Sequence, residues 1–276
     1  MSYKTVLVQL DHSAQARQRI GIAATIALAE GAHLVGTVSS GIARYAFHDH
    51  AFEPGLQLGE GRNAALRAAA SRALDAFDSA AASFGVASHE RRQTDGDAGA
   101  DLALQARYSD LVVIGQPDPA QAAFGSAPDL PEFVMLSCAR PVLIVPYAGQ
   151  FEHVGKNVLI AWDGSAQATR AISGALPLLR RAERVTLAVF NPDSKHGDQP
   201  GADIALYLAR HQVKVEVMRE YPAIDVGNAM LSLASDLDVD LIVMGGYGHA
   251  RVRQLLLGGV TKTLLETMTV PVLMAH

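Results

Sequence analysis

Two glycine clusters near the C-terminus have the residue types and the spacing to hold an anion. Gly245-Gly246-Tyr247-Gly248 follows directly on the apolar run Leu241-Ile242-Val243-Met244, and Gly258-Gly259-Val260-Thr261 follows Gly248 after nine intervening residues. Glycines just beyond a strand lack Cβ atoms, so they can take positive φ and turn their N–H groups toward a bound anion. The second cluster stands where a helix should begin, so that helix's unpaired N–H groups and positive dipole end would face the same space. Thr261, in the first turn, can add a hydroxyl donor, and Arg251, Arg253 and Lys262 supply nearby positive charge. Together these residues have the makings of a phosphate cradle. A loop that merely turns tightly needs the same glycines, and this stretch alone does not separate the two readings.

The elements that must position these residues show as short, unbroken apolar runs, the mark of buried parallel strands. In the first half such runs cover residues 5–11, 33–38, 89–93, 110–115 and 141–146, and helices are predicted over 13–30, 62–84 and 99–107 and from about 130. The pattern then begins again. Strands are predicted over 157–163, 185–190, 213–219, 240–245 and 270–274, with helices from 165 to about 181, from about 201 to 211, over 226–236 and after Gly258. Ser13 and Ser165 hold matching positions as helix N-cap candidates, and Gly31 is placed to end the first helix. Strand–helix alternation of this kind predicts an α/β fold of two tandem, doubly wound parallel-sheet domains, five strands each, with flavodoxin-like layering. The expected domains are residues 1–147 and 156–276, joined by a linker over 148–156.

In open parallel sheets ligands enter at the carboxyl ends of the strands, where the strand order reverses. Three loops of the second half converge there. Asp163 is placed to bond ribose hydroxyls or the adenine edge, Ala161 and Trp162 to line a base pocket, and Val189 and Phe190 to flank adenine. Residues 244–248 and 258–261, from Met244 to Thr261, would hold ribose and phosphates. Each has a plainer role as well: Asp163-Gly164-Ser165 as a strand-to-helix turn, Val189 as core, Phe190 as a lid on the core, and Arg251 and Arg253 as a solvated face.

Composition narrows the function further. The 276 residues are 49% hydrophobic and 18% charged, enough to bury sizeable cores, and a net charge of −5 with no basic patch argues against a nucleic-acid partner. Neither a secretory leader nor a membrane-spanning run is legible, so a cytoplasmic protein without a membrane partner is expected. Cys138 is the only cysteine, on an apolar helix, and reads as a core residue. His48, Asp49, His50 and Glu53, and separately Asp193, His196 and Asp198, are metal-ligand types in loops without a metal spacing, so solvated loops are the expected reading. The Gly-x-x-x-x-Gly-Lys-Ser/Thr loop and the three-glycine dinucleotide fingerprint are both absent, which argues against a vigorous NTPase or a dehydrogenase.

Gly245-x-x-Gly248, nine residues, then Gly258, a small residue and Val260 resembles the nucleotide-binding signature of the universal stress protein family, with Gly259 where that family has Ser or Thr. Asp110-Leu-Val-Val-Ile-Gly115 and Asp240-Leu-Ile-Val-Met-Gly245 are counterparts, so each half resembles one such domain and the chain its tandem form, adenine nucleotide alpha hydrolase-like in layering. The resemblance implies adenosine-nucleotide contacts at Asp163, Val189, Gly245, Gly248, Gly258, Gly259 and Val260, with ATP as ligand and Mg²⁺ bridging its phosphates. In the first half Gln116-Pro117-Asp118-Pro119 and Pro128-Asp129 replace the glycines. Proline removes an N–H donor and an acid repels phosphate, so that half is expected to be degenerate for nucleotide. The expected function is an ATP-binding stress or signalling module with an unknown protein partner. Its rivals are a nucleotide-free interaction protein and a slow hydrolase using His249. Apolar closing strands at sheet edges should pair, as an intrachain pseudo-dimer and possibly a homodimer.

Overall fold

The computed structural model describes residues 2–42, 60–119, 129–192, 198–247 and 259–276. Clustering of the chain's contacts divides it into a unit of Tyr3–Cys138 and a unit formed by Ala139–His276.

The first unit runs β1 (Thr5–Gln9), α1 (Ala16–Glu30), β2 (His33–Ser39), α2 (Glu60–Phe84), β3 (His89–Thr94), α3 (Ala98–Ala106), β4 (Leu111–Gly115) and α4 (Leu130–Ser137). Its strands lie in the order β3-β2-β1-β4 and are parallel throughout. The central pair is dry: Val6, Leu7, Val8 and Leu111 to Ile114 are all fully buried. Gly31 closes α1 in the left-handed conformation, and Asp97 caps α3 by accepting the Ala100 N–H at 2.8 Å. The outer strand β3 is charged, and Arg91 pairs with Asp75 and Asp78 of α2, which keeps an open sheet edge polar.

The second unit runs β5 (Val142–Val145), β6 (Asn157–Ala161), α5 (Ala166–Leu179), β7 (Arg184–Phe190), α6 (Ala202–Arg210), β8 (Glu216–Glu220), α7 (Val226–Asp236), β9 (Leu241–Gly245), α8 (Val260–Thr267) and β10 (Val272–Ala275). Here the order is β5-β10-β9-β6-β7-β8. β6 to β10 are parallel in the order 3-2-1-4-5, and β5 adds antiparallel to β10 with Leu143 opposite Leu273. β5 groups by contacts with this unit, and the expected pairing of the two apolar closing strands is met by the antiparallel β5–β10 ladder, which satisfies the outer N–H and C=O groups of β10. All four of its residues are at most 1% exposed.

The acids that open the two central strands explain the repeat of Asp110 and Asp240. Asp110 accepts the N–H groups of Lys4 and Thr5 at 2.7 and 3.0 Å, and Asp240 accepts those of Gly155, Lys156 and Asn157 at 2.8 to 3.2 Å. Each carboxylate thus gathers the unpaired amides that begin the neighbouring strand. β8 starts at Glu216, three residues later than its apolar run implied. No helix among the described residues is long and apolar enough to cross a membrane.

Candidate functional site

In the second unit the strand order reverses at β6, which lies between β9 and β7. Ala161 is in register with Met244 on one side and Ala188 on the other, so residues 161–163, 189–190 and 244–247 leave the sheet at one edge. The candidates therefore converge as parallel strand ends should.

At the end of β6 the chain turns through Gly164, at φ 73°, into α5. Asp163 is exposed and its Oδ1 accepts the Ser165 N–H at 3.0 Å, while Ser165 Oγ accepts the Ala168 N–H at 3.0 Å and caps the helix. Ala161 and Trp162 are half-buried. Val189 is fully buried and its Cγ2 faces Gly201, so the side chain belongs to the core; Phe190 beside it is half-buried.

Gly245 has a packing reason for lacking a side chain. A Cβ there would lie 2.5 Å from the Ala168 amide nitrogen and 2.9 Å from the Gln167 backbone, so the start of α5 rests directly on the end of β9. Met244 is buried beneath it. Gly246 donates to the Ala275 carbonyl at 2.9 Å and its own carbonyl lies 3.1 Å from His276 Nδ1, a contact not legible in the sequence. Tyr247 takes φ 53° and donates its N–H to Thr261 Oγ1 at 3.1 Å. Thr261 is 3% exposed, and this acceptor role joins the donor role expected of its hydroxyl.

Gly259 is the N-cap of α8, without a side-chain bond to the helix's first amides, and Val260 follows half-buried. Lys262 is exposed, 3.8 Å from Glu266. The two ends of the glycine loop are thus drawn together by the Tyr247–Thr261 bond, over the carboxyl end of β9. Gly248, Gly258, Arg251, Arg253 and His249 lie outside the described residues, as do His48, Asp49, His50, Glu53, Asp193 and His196. Among the described residues no cluster of His, Cys, Asp or Glu is arranged to hold a metal ion, and Cys138 is buried.

The first unit differs at the same place. The β1–α1 segment Ser13-Ala-Gln-Ala-Arg-Gln-Arg19 matches Ser165-Ala-Gln-Ala-Thr-Arg-Ala171 in position, but Ser13 does not cap α1. Its N–H and Oγ both bond Asp11 Oδ1, at 2.9 and 2.6 Å, and the helix begins only after Gln15, with no side-chain cap. Arg19, 2% exposed, places Nη2 2.8 Å from Asp11 and donates Nε–H to the Gln9 carbonyl at 2.8 Å. Burial pushes the Asp11 carboxyl up, but Arg19 and Ser13 together outweigh it and hold it below the usual carboxylate range. An arginine on the apolar face of α1, between Ala16 and Ile20, was the one sequence signal of this pair.

Residues 155–276 match the model of the universal stress protein family. Over these residues the chain is similar to that family. A curated universal stress protein of Synechocystis is 29% identical over 174 residues, which is 59% of this chain and 57% of that relative, so the match spans little more than half the relative's length. A crystal structure of a universal stress protein from Archaeoglobus fulgidus is similar over 98% of this chain and 94% of its own, with a TM-score of 0.73 and 17% identity. A functionally unknown protein of Pseudomonas aeruginosa is similar over 98% of this chain and 92% of its own, at a TM-score of 0.56 and 16% identity. At these identities the likeness is one of fold. It extends across both units, so the universal stress protein fold covers the chain.

Proposed function

We propose that the universal stress protein domain of residues 155–276 binds an adenine nucleotide, ATP with Mg²⁺ bridging its phosphates, and that the unit of residues 3–138 is structural. The observation that carries this reading is the clasp between Tyr247 and Thr261, which brings the two glycine clusters to one mouth beside the exposed Asp163. Backbone N–H groups at the start of α8, capped only by a glycine, then face the ligand with the positive end of the helix dipole. Asp163 takes the ribose or the adenine edge, and Ala161, Trp162 and the backbone at Val189 and Phe190 flank the base. Gly248 and Gly258 complete the phosphate contacts. Occupancy favours the native state by mass action, and through it a stress or signalling role for the chain follows.

Trp162 is the only tryptophan and lies at the mouth, so its fluorescence is a direct readout. Titration with Mg-ATP should change that fluorescence saturably, with one equivalent taken up per chain by calorimetry, and Gly248→Asp should abolish both. Absence of saturable uptake, or uptake untouched by Gly248→Asp, leaves a nucleotide-free interaction protein as the better account. That second reading draws on the glycine at 259, where the family has a hydroxyl. A timed phosphate-release assay on wild type and His249→Ala decides whether bound ATP is also cleaved.

A further inference from the structure

The switch point of the first unit lies at β1, between β2 and β4, and two side chains fill it from inside. Gln9, the last residue of β1, turns its Oε1 to accept the N–H of Gly115, the last residue of β4, at 3.1 Å. Arg19 comes down from α1 onto the same spot. A Cβ on Gly115 would run into Arg19 Nη1, so the tip of the guanidinium rests against the backbone of that glycine. Its Nε–H bonds the Gln9 carbonyl, its Nη2 forms an ion pair with Asp11 Oδ2 at 2.8 Å, and Ser13 donates twice to the other carboxylate oxygen. The arginine is 2% exposed. Carbonyl, carboxylate and glycine backbone thus surround the guanidinium, with Asp11 itself 26% exposed and lining a neighbouring cavity.

The second unit has alanine at both matching positions, Ala161 for Gln9 and Ala171 for Arg19. There the backbone of α5 comes down on Gly245, the helix starts at Ala166, and Ser165 is released to cap it. In the first unit α1 starts at Ala16, two residues later in the matched numbering, because Asp11 has taken Ser13 and the guanidinium stands between helix and strand. The identical stretch Ser-Ala-Gln-Ala begins a capped helix in one unit and a turn in the other.

We infer that Arg19 is a built-in ligand: it occupies the crevice at the strand ends of the first unit, so this unit folds around its own cation and takes no ligand there. The inference stands whether or not the second unit holds a nucleotide. A buried guanidinium with a paired carboxylate is strongly committed to its place, since removing the half-buried Asp11 would strand the arginine's charge away from water. Asp118 and Asp129 at the positions matching glycines of the second half, and the guanidinium in the crevice, are then two separate features that disfavour an anionic ligand there.

Arg19→Ala removes two methylenes and the guanidinium, the outline of ethylguanidinium. The full chain carrying Arg19→Ala should melt several degrees below wild type in scanning calorimetry. Ethylguanidinium, at low-millimolar concentrations too dilute to denature, should restore part of that loss in Arg19→Ala only. Wild type and the double variant Asp11→Asn/Arg19→Ala should not respond, and ethylammonium, equal in charge but without the planar fork, should rescue much less. No rescue, equal rescue of the double variant, or equal rescue by ethylammonium would overturn the inference. Should Arg19→Ala fail to fold, Arg19→Met keeps the volume without the cation. It should melt below wild type, and a melting temperature equal to wild type would refute the built-in ligand.

Discussion

The Thr261 hydroxyl accepts the Tyr247 N–H from 14 positions away in the chain, and Thr261→Val removes that bond at nearly constant shape. A loss of about 1–2 kcal/mol in urea unfolding is expected, with weaker Mg-ATP uptake, while Thr261→Ser keeps both near wild type. Asp11 gives a prediction in pH. Its carboxyl is held below 3.8, the unperturbed value, so the folded state releases this proton more readily than the unfolded chain. The stability it contributes is fully present above 3.8 and is lost as the pH falls through the lower, folded value. Asp11→Asn should therefore flatten the acid limb of a stability–pH curve below pH 3.8 and leave its shape near neutrality unchanged; an unaltered acid limb would contradict this. The residue types of the cradle were legible in the sequence because glycine, threonine and a helix start carry their chemistry locally. Neither the Tyr247–Thr261 bond nor the Arg19–Asp11 pair was, because each depends on where a second element arrives.

At the scale of elements, α5 sits on β9 because Gly245 has no side chain. Gly245→Ala sets a Cβ 2.5 Å from a backbone nitrogen that cannot rotate away, and should cost about 1–3 kcal/mol and displace the Ser165 cap. Ser165→Ala alone should cost about 1 kcal/mol, whereas Ser13→Ala acts through Asp11 and leaves the helicity of α1 unchanged. Amide exchange by NMR at residues 166–169 and 14–17 distinguishes the two serines. Here the sequence was half informative. Two matching serines before two apolar helices promise two caps, and only the one without a buried arginine six residues on delivers it.

Across the whole molecule, repetition of the strand pattern made the order of elements legible, with most boundaries within two residues. It also made the pairing of Val142–Val145 with Val272–Ala275 legible, as two apolar closing strands, but not its antiparallel sense or register, because an apolar run records that a strand is buried, not how its neighbour runs. Amides of β5 and β10 should exchange as slowly as those of Ile242 and Val243 in the middle of the sheet, and rapid exchange at Leu143 would show that the antiparallel pair is not held in solution.

The clasp at Tyr247 and Thr261 also has a use for engineering. It fixes the stem of an eleven-residue insert, residues 248–258, independently of what the insert contains. Chain-closure entropy rises by only about 0.6 kcal/mol for each doubling of length, so foreign segments grafted between these two anchor residues should leave the scaffold folded. The segment between these anchors is, in that sense, an exchangeable cartridge on a permanent socket.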